Sequence, residues 1–322
     1  MHIVHAGTLL ILHAHFAAMA LAVFGIPATI FWAYFAAGAI LIIGLGRIIK
    51  SGLANEHGID KILPFGPLFF AIPFAVFGTE HLTDTTDLAN LVPRWLPAHT
   101  FWVYLAGIAL IAAALSIAIH IQSRLAAALL GLTLVSFVLL IHIPNLISQA
   151  GDRLFLAIGL RDLAFAGGAF VLAGSQSAFS RAERGNGARW LVTVSRFIIA
   201  IAAMFFGVEH FLHPTFLPGV PLDKLTPLWI PGHLFWAYLT GAVLVAAGLC
   251  LIANWNARRA ATYLGIMIVL LMLFIYLPML IKSPADIVAI NYFFDTLTFA
   301  GVALVLANAI RSGRTGDASR LQ

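Results

Sequence analysis

The sequence predicts an all-α polytopic membrane protein with about ten spanning helices. Of its 322 residues, 61% are hydrophobic and only 10% charged, whereas soluble domains carry about a quarter charged residues. The mean hydropathy is +0.99. Apolar stretches of roughly 20 residues, the length a helix needs to cross the hydrocarbon at about 1.5 Å per residue, follow one another through short polar connections. Little of this length is left for a sizeable aqueous domain.

The first stretch runs from Gly7 to Gly25. Ala18-Met19-Ala20 has the small-residue form of a signal-peptidase site. No Lys or Arg precedes it, however, and a second apolar stretch, Ala28 to Ile49, follows at once, so the expectation is a retained hairpin. Four spans come next: Pro64 to Leu82, Ala98 to Ile121, Arg124 to Leu146 and Leu154 to Gly174. After a polar linker, the last four run from Trp190 to Leu212, Gly232 to Ala253, Ala257 to Ile281 and Ile287 to Ile310. The chain divides accordingly into a transmembrane hairpin at 1–60, a four-helix unit at 61–175, a linker at 176–189, a second unit at 190–311 and a tail at 312–322.

In this topology twelve Lys and Arg residues, among them Arg181, Arg184, Arg189, Arg258 and Arg259, fall on one side of the membrane. Four, namely Arg94, Arg153, Lys224 and Lys282, fall on the other, and Arg161 and Arg196 lie inside spans. The positive-inside rule then puts both termini in the cytoplasm of a bacterial cell, with the chain in its inner membrane. The pI near 9.7 is thus a topology signal, and nucleic acid is not an expected partner. The single cysteine, Cys250, excludes an internal disulfide, a Cys-x-x-Cys redox pair and a thiolate metal cage.

The two units repeat each other. Gly78-Thr79-Glu80-His81 returns as Gly207-Val208-Glu209-His210, and Trp95-Leu96-Pro97-Ala98-His99 as Trp229-Ile230-Pro231-Gly232-His233. Phe101-Trp102-Val103-Tyr104 and Gly107 return as Phe235-Trp236-Ala237-Tyr238 and Gly241; Pro144 matches Pro278, and Phe165-Ala166-Gly167 matches Phe299-Ala300-Gly301. Four spans per unit is an even number, so the copies enter the membrane in the same sense. They are expected to be parallel repeats about an axis along the membrane normal. Phe31-Trp32-Ala33-Tyr34 repeats the aromatic part without the Glu-His pair. The hairpin therefore reads as a degenerate half copy packed beside the repeats.

Gly-x-Glu-His, a loop with Pro and Trp, then Phe-Trp-x-Tyr-x-x-Gly resembles the DoxX-like membrane proteins. The second copy carries the likeness best, in Gly207, Glu209, His210, Phe211, Pro214, Pro221, Trp229, Pro231, Phe235, Trp236, Tyr238 and Gly241. The first copy has Leu82 after its Glu-His and no proline at the place of Pro214. The resemblance covers Pro64 to Ile310. It implies a four-helix fold and a membrane-bound redox role, including quinone-coupled thiosulfate oxidation. Quinone is the cofactor it implies; the imidazoles of the Glu-His pairs would also suit haem, as the lesser alternative. The implied partner, besides the lipid bilayer, is a membrane or periplasmic redox protein.

The candidate site residues gather toward the outer face. Both Glu-His pairs, Glu80–His81 and Glu209–His210, fall in the last outward turn of their spans, and His99 and His233 open the next ones. Arg161, Asp162 and Asp295 sit about eight residues in, roughly 12 Å deep. His142 lies near the outer end of its span, with Tyr276 in its place in copy two. Ionisable groups at such depth cost about 2.5–3.5 kcal/mol each and must face the bundle and find partners. Arg161 has three candidate partners: Glu80, Asp162, or Asp295 across the repeat axis.

A carboxylate beside an imidazole suits proton handling, so Glu80, His81, Glu209 and His210 are the candidate catalytic residues. His99, His233, Trp229, Arg161 and Asp295 are the candidate cofactor contacts, and no metal set is expected. Adjacent helical residues point about 100° apart, so each pair needs a break to aim at one atom, and Gly78 and the loop beyond are the expected place for it. The competing reading makes the Glu-His pairs helix-end residues at the headgroups and the charges structural ion pairs. Trp95, Trp102, Tyr104, Trp236 and Tyr238 read first as interfacial rings, with Pro97 and Pro231 in first helical turns. Gly38, Gly107, Gly167 and Gly241 read as close-packing positions. His13 and His15 point to different sides, and His57 and His120 lie at cytoplasmic ends. No phosphate-binding loop, Gly-x-Ser-x-Gly elbow or His-Glu-x-x-His helix is present. Rival functions are a small-solute or proton-coupled carrier and a non-enzymatic scaffold or assembly factor.

Overall fold

A computed structural model describes residues 25–51, 57–149, 151–175, 186–215 and 226–318. The expected first span, with His13 and His15, lies outside the described residues. So do most of the 176–189 linker and the loop containing Pro221.

Among the described residues every regular element is helical, and nine helices are long and apolar enough to cross a membrane. In chain order the elements are α1 (Ala28–Ser51), then a 3-10 turn (Gly58–Phe65) running into α2 (Gly66–Thr83), and the short α3 (Thr85–Ala89). The first unit continues with α4 (His99–Ile119), α5 (Ser123–Phe137), α6 (Ile143–Ser148) and α7 (Arg153–Ser175). The second has α8 (Asn186–Leu212), α9 (His233–Ile252), α10 (Ala257–Leu271), α11 (Leu277–Lys282) and α12 (Ile287–Ala318). The expected spans match these helices closely. Two helices run past the membrane segments, α8 starting inside the expected linker and α12 ending inside the expected tail. Large apolar side chains stand exposed on the outer surface of the bundle, including Phe35, Ile42, Leu129, Leu132 and Leu249. A water-soluble chain would bury such a belt; here it is the lipid contact.

Eight helices close into one ring, α2–α4–α5–α7–α8–α9–α10–α12, with α12 returning to α2 and α7 touching α12 across the middle. The first helix of each unit thus packs on the last helix of the other, α2 on α12 and α8 on α7. Phe165 and Phe299, equivalent residues on α7 and α12, meet edge-on at 4.8 Å between ring centroids. Two equivalent positions in direct contact must lie beside the symmetry axis, so α7 and α12 cross there. α1 packs on α2 and α4, and Tyr34 donates a hydrogen bond to the Pro284 carbonyl at 2.8 Å.

Glycines set the tightest contacts. A Cβ on Gly78 would lie 2.7 Å from the Gly107 carbonyl oxygen, and one on Gly107 2.9 Å from that of Gly78. Gly207 and Gly241 repeat this, each Cβ 2.9 Å from the other's carbonyl oxygen. The glycine of Gly-x-Glu-His and the glycine closing Phe-Trp-x-Tyr-x-x-Gly are therefore two halves of one helix crossing, as small residues allow in membranes. Gly167 is also closely packed, against Ile199. Gly38 departs from expectation, for nothing lies within 4 Å of its would-be Cβ.

The aromatic and proline part of the repeat builds helix starts. Trp102 Nε1 donates to the Pro97 carbonyl at 3.0 Å, and Trp236 Nε1 to the Pro231 carbonyl at 3.0 Å. The prolines stand just before α4 and α9 and not in their first turns. Each is followed by a residue in the left-handed region, Ala98 at φ 55° and Gly232 at φ 72°.

Candidate functional site: two chambers joined by an ion-paired wall

Both long third spans contain one π turn, Val138–His142 and Met272–Tyr276. Pro144 and Pro278 explain them. A proline offers no N–H, and its ring crowds the carbonyl four residues back; widening the helix relieves both. The Ile143 and Leu277 amides instead bond five residues back, to Val138 and Met272. Such turns re-aim the side chains they carry. The last residue of each, His142 or Tyr276, lines a cavity inside the ring.

The larger chamber, about 560 Å³, is walled by α2, α4, α5 and α7 of the first unit and by α12 of the second. Its walls are mostly apolar, with Phe74, Phe77, Trp102, Leu110, Phe137 and Phe165. Glu80, His81, His142, Arg161, Asp162, Asn291 and Asp295 supply its polar surface. The smaller, about 120 Å³, is walled by α8, α9 and α10 with α12 of the second unit and by α7 of the first; its polar residues include His210, Thr240, Tyr276, Tyr292 and Thr296. Each chamber is completed by the last helix of the other unit. Arg161 and Asp295 line both.

One chain of contacts links four of these side chains. His142 Nε2 lies 2.7 Å from Asp162 Oδ2, and Arg161 Nε donates to Asp162 Oδ1 at 3.0 Å. Arg161 Nη1 donates to Asp295 Oδ2 at 2.8 Å. Of the three candidate partners for Arg161, two are used, Asp162 and Asp295, and Glu80 is not. These charges, which the bilayer makes costly, are thus satisfied across the axis, joining the π turn after α5 to α7 and α12.

The Glu-His pairs follow one pattern for histidine and two for glutamate. His81 Nδ1 donates to the Phe77 carbonyl at 2.7 Å, and His210 Nδ1 to that of Phe206 at 2.6 Å. A carbonyl only accepts, so Nδ1 carries the proton in both, and in the neutral ring Nε2 keeps its lone pair. His81 also stacks on Phe137, the ring planes 9° apart. Glu209 is 4% exposed. It takes two bonds from Arg153 Nη1, at 3.1 and 3.0 Å, and has His213 Nε2 at 3.7 Å. Glu80 has no such partner, and its Oε1 is buried without a hydrogen bond. The sequence reason is visible in the repeat, because the counterpart of Arg153 is Ile287. No break at Gly78 is needed. α2 continues through Glu80 and His81 to Thr83, and both side chains still reach the same chamber.

His99 and His233 begin α4 and α9, and Trp229 stands exposed with its ring edge-on to Phe274 at 6.4 Å. All three sit at the Glu-His end of the bundle, outside the residues that line the two chambers. Trp95 and Trp102 do line the larger chamber. Among the described residues no three His, Cys, Asp or Glu side chains converge as metal ligands. The sequence places His142 and Asp162 in the outer polar cluster without a catalytic or cofactor role, and it gives no sign of Asn291; the π turn that brings in His142 is signalled only by Pro144.

Residues 70–157, spanning α2 to the start of α7, match the model of a family described as a domain of unknown function, DUF8561. No curated protein and no solved structure matches the chain.

Proposed function

We propose that the chain is the membrane subunit of a DoxX-type redox system that takes an amphipathic, quinone-like molecule from the bilayer into the larger chamber. The observation that carries this is the chamber itself. About 560 Å³ lies in the range of small-molecule sites, and apolar walls with a few convergent polar groups are the usual design of such sites. Glu80 and His81 are the proton-handling pair, one without a partner and the other fixed in one tautomer. A quinol bound there loses its two protons by relay through these groups to the outer face and gives its two electrons to a partner protein, because Cys250 alone offers no redox pair. In the second unit Glu209 is held by Arg153, and His210 alone faces the smaller chamber. The Lys and Arg asymmetry supports a bacterial inner-membrane location with cytoplasmic termini. The Glu-His end, and a redox partner, would then be on the periplasmic side.

One observation favours a second reading, a carrier for a small solute. Arg161 and Asp295 line both chambers, so a shift of that pair would join them, and ionisable residues at repeat interfaces are typical of transport sites. Solvent extraction and mass analysis of protein purified in mild detergent tests the first reading. Near-stoichiometric quinone is expected, and redox-linked activity lost in Glu80→Gln and His81→Ala. A folded, empty preparation, or full activity in both variants, defeats it; uptake into proteoliposomes would then establish the carrier.

A further inference from the structure

Two arginines lie inside spans, and the fold treats them differently. Arg161 is bonded to two carboxylates. Arg196 has no ion pair: its Nε is buried without a hydrogen bond, and its guanidinium lies over the Phe197 ring, 5.2 Å from the centroid. The span in α8 begins at Arg189, so Arg196 is seven residues in, roughly 10 Å deep. A cation at that depth is costly unless an anion meets it. Among the described side chains, Asp60 is the one carboxylate at this end of the bundle, and Arg258 already holds it.

The packing of α8 shows where Arg196 stands. A Cβ on Gly248 of α9 would meet Ala200 and Met204 of α8. Arg196 is four residues before Ala200 on the same row, which puts it in the seam between α8 and the last turn of α9. The carbonyls of that turn are used by the chain itself, for the Ala253, Asn254 and Trp255 amides donate to Leu249, Leu251 and Cys250. Exposed Phe197, Ile201 and Ile252 make the flank of the seam apolar. Arg189, two turns back on the same side of α8 and exposed, adds a second positive charge at its mouth. Trp190 and Trp255 are exposed at the same end, as rings at a membrane interface are.

We infer that Arg196, with Arg189, holds the phosphate of an anionic phospholipid in the leaflet opposite the Glu-His end, with the acyl chains on the apolar flank of the α8–α9 seam. An arginine below the interfacial rings reaches back to head-group depth, and its planar fork of donors matches a phosphate. Basic pockets between spans are of the kind that binds such head groups. The site lies at the other end of the bundle from the Glu-His pairs and is independent of what the chambers bind.

The test is lipid retention by the full chain in mild detergent, read by native mass spectrometry with phosphatidylglycerol and phosphatidylcholine offered in equal amounts. The wild type is expected to prefer phosphatidylglycerol about fivefold, the factor that one charge near a membrane surface supplies. Arg196→Gln should bring that preference close to one, and Arg189→Gln, at an exposed position where folding is not at stake, should lower it. Thermal unfolding in nanodiscs separates loss of the site from loss of the fold: phosphatidylglycerol should raise the midpoint of the wild type and not that of Arg196→Gln. No preference in the wild type, or the same preference in both variants, would overturn the inference. So would displacement of the lipid by inorganic phosphate, which would make this a site for a free anion. A fall in oligomeric mass on Arg196→Gln would overturn it too, by giving the seam to a second copy of the chain.

Discussion

Arg161 and Asp295 occupy equivalent positions in the two units, 134 residues apart, and are bonded directly to each other at 2.8 Å. Identical copies would place like charges together at the axis. The two units have therefore diverged into a complementary pair, and each chamber depends on both.

A double-mutant cycle should show this coupling. Asp295→Leu or Arg161→Met alone is expected to lower stability by about 2 kcal/mol, less than the full cost of splitting a buried pair because the chambers admit solvent to it. The double variant should lose less than the sum of the two. Additive losses in detergent unfolding would mean that the pair contributes no coupling.

Ala98 carries a left-handed conformation at φ 55° where the second unit has Gly232 at φ 72°. That conformation costs an L-residue about 1–2 kcal/mol. Ala98→Gly should raise stability by about 1 kcal/mol and Gly232→Ala lower it by a similar amount, read as opposite shifts in unfolding midpoint.

The glycine crossings should be intolerant of one methyl group. Gly107→Ala and Gly241→Ala press a Cβ to 2.9 Å from a backbone carbonyl oxygen, which cannot rotate away, and should each cost about 1–3 kcal/mol. Gly38→Ala, with open space at its Cβ, should be neutral or slightly stabilising, since alanine is the better helix former.

The spans and the duplication are legible in the sequence because hydrocarbon demands long apolar helices and because the motif returns at a fixed spacing. Pairing of Arg161 within the membrane is also legible, since an unpaired charge there is too costly. The ring is not. An axis normal to the membrane leaves open which helices meet across it, and only contacts such as Phe165 with Phe299 decide that α7 and α12 do. The Glu-His motif looks the same in both copies, whereas its environments differ through one distant position, Arg153 against Ile287. Local patterns cannot show that difference until the ring fixes which helix faces which. Likewise nothing in the spacing of Trp102 and Trp236 shows that their rings, exposed at the helix starts, fasten those starts through proline carbonyls.

Whether the larger chamber holds a ligand is tested most directly by filling it. Ala106 lines it from α4, and Ala106→Trp adds a bulky ring there. Lipophilic molecules co-purified with the wild-type chain and with this variant would be extracted and compared by mass analysis. The account predicts one amphipathic species at near one per chain in the wild type and its loss in the folded variant. The same lipid profile in both proteins, with no species enriched over the bulk membrane, would contradict it.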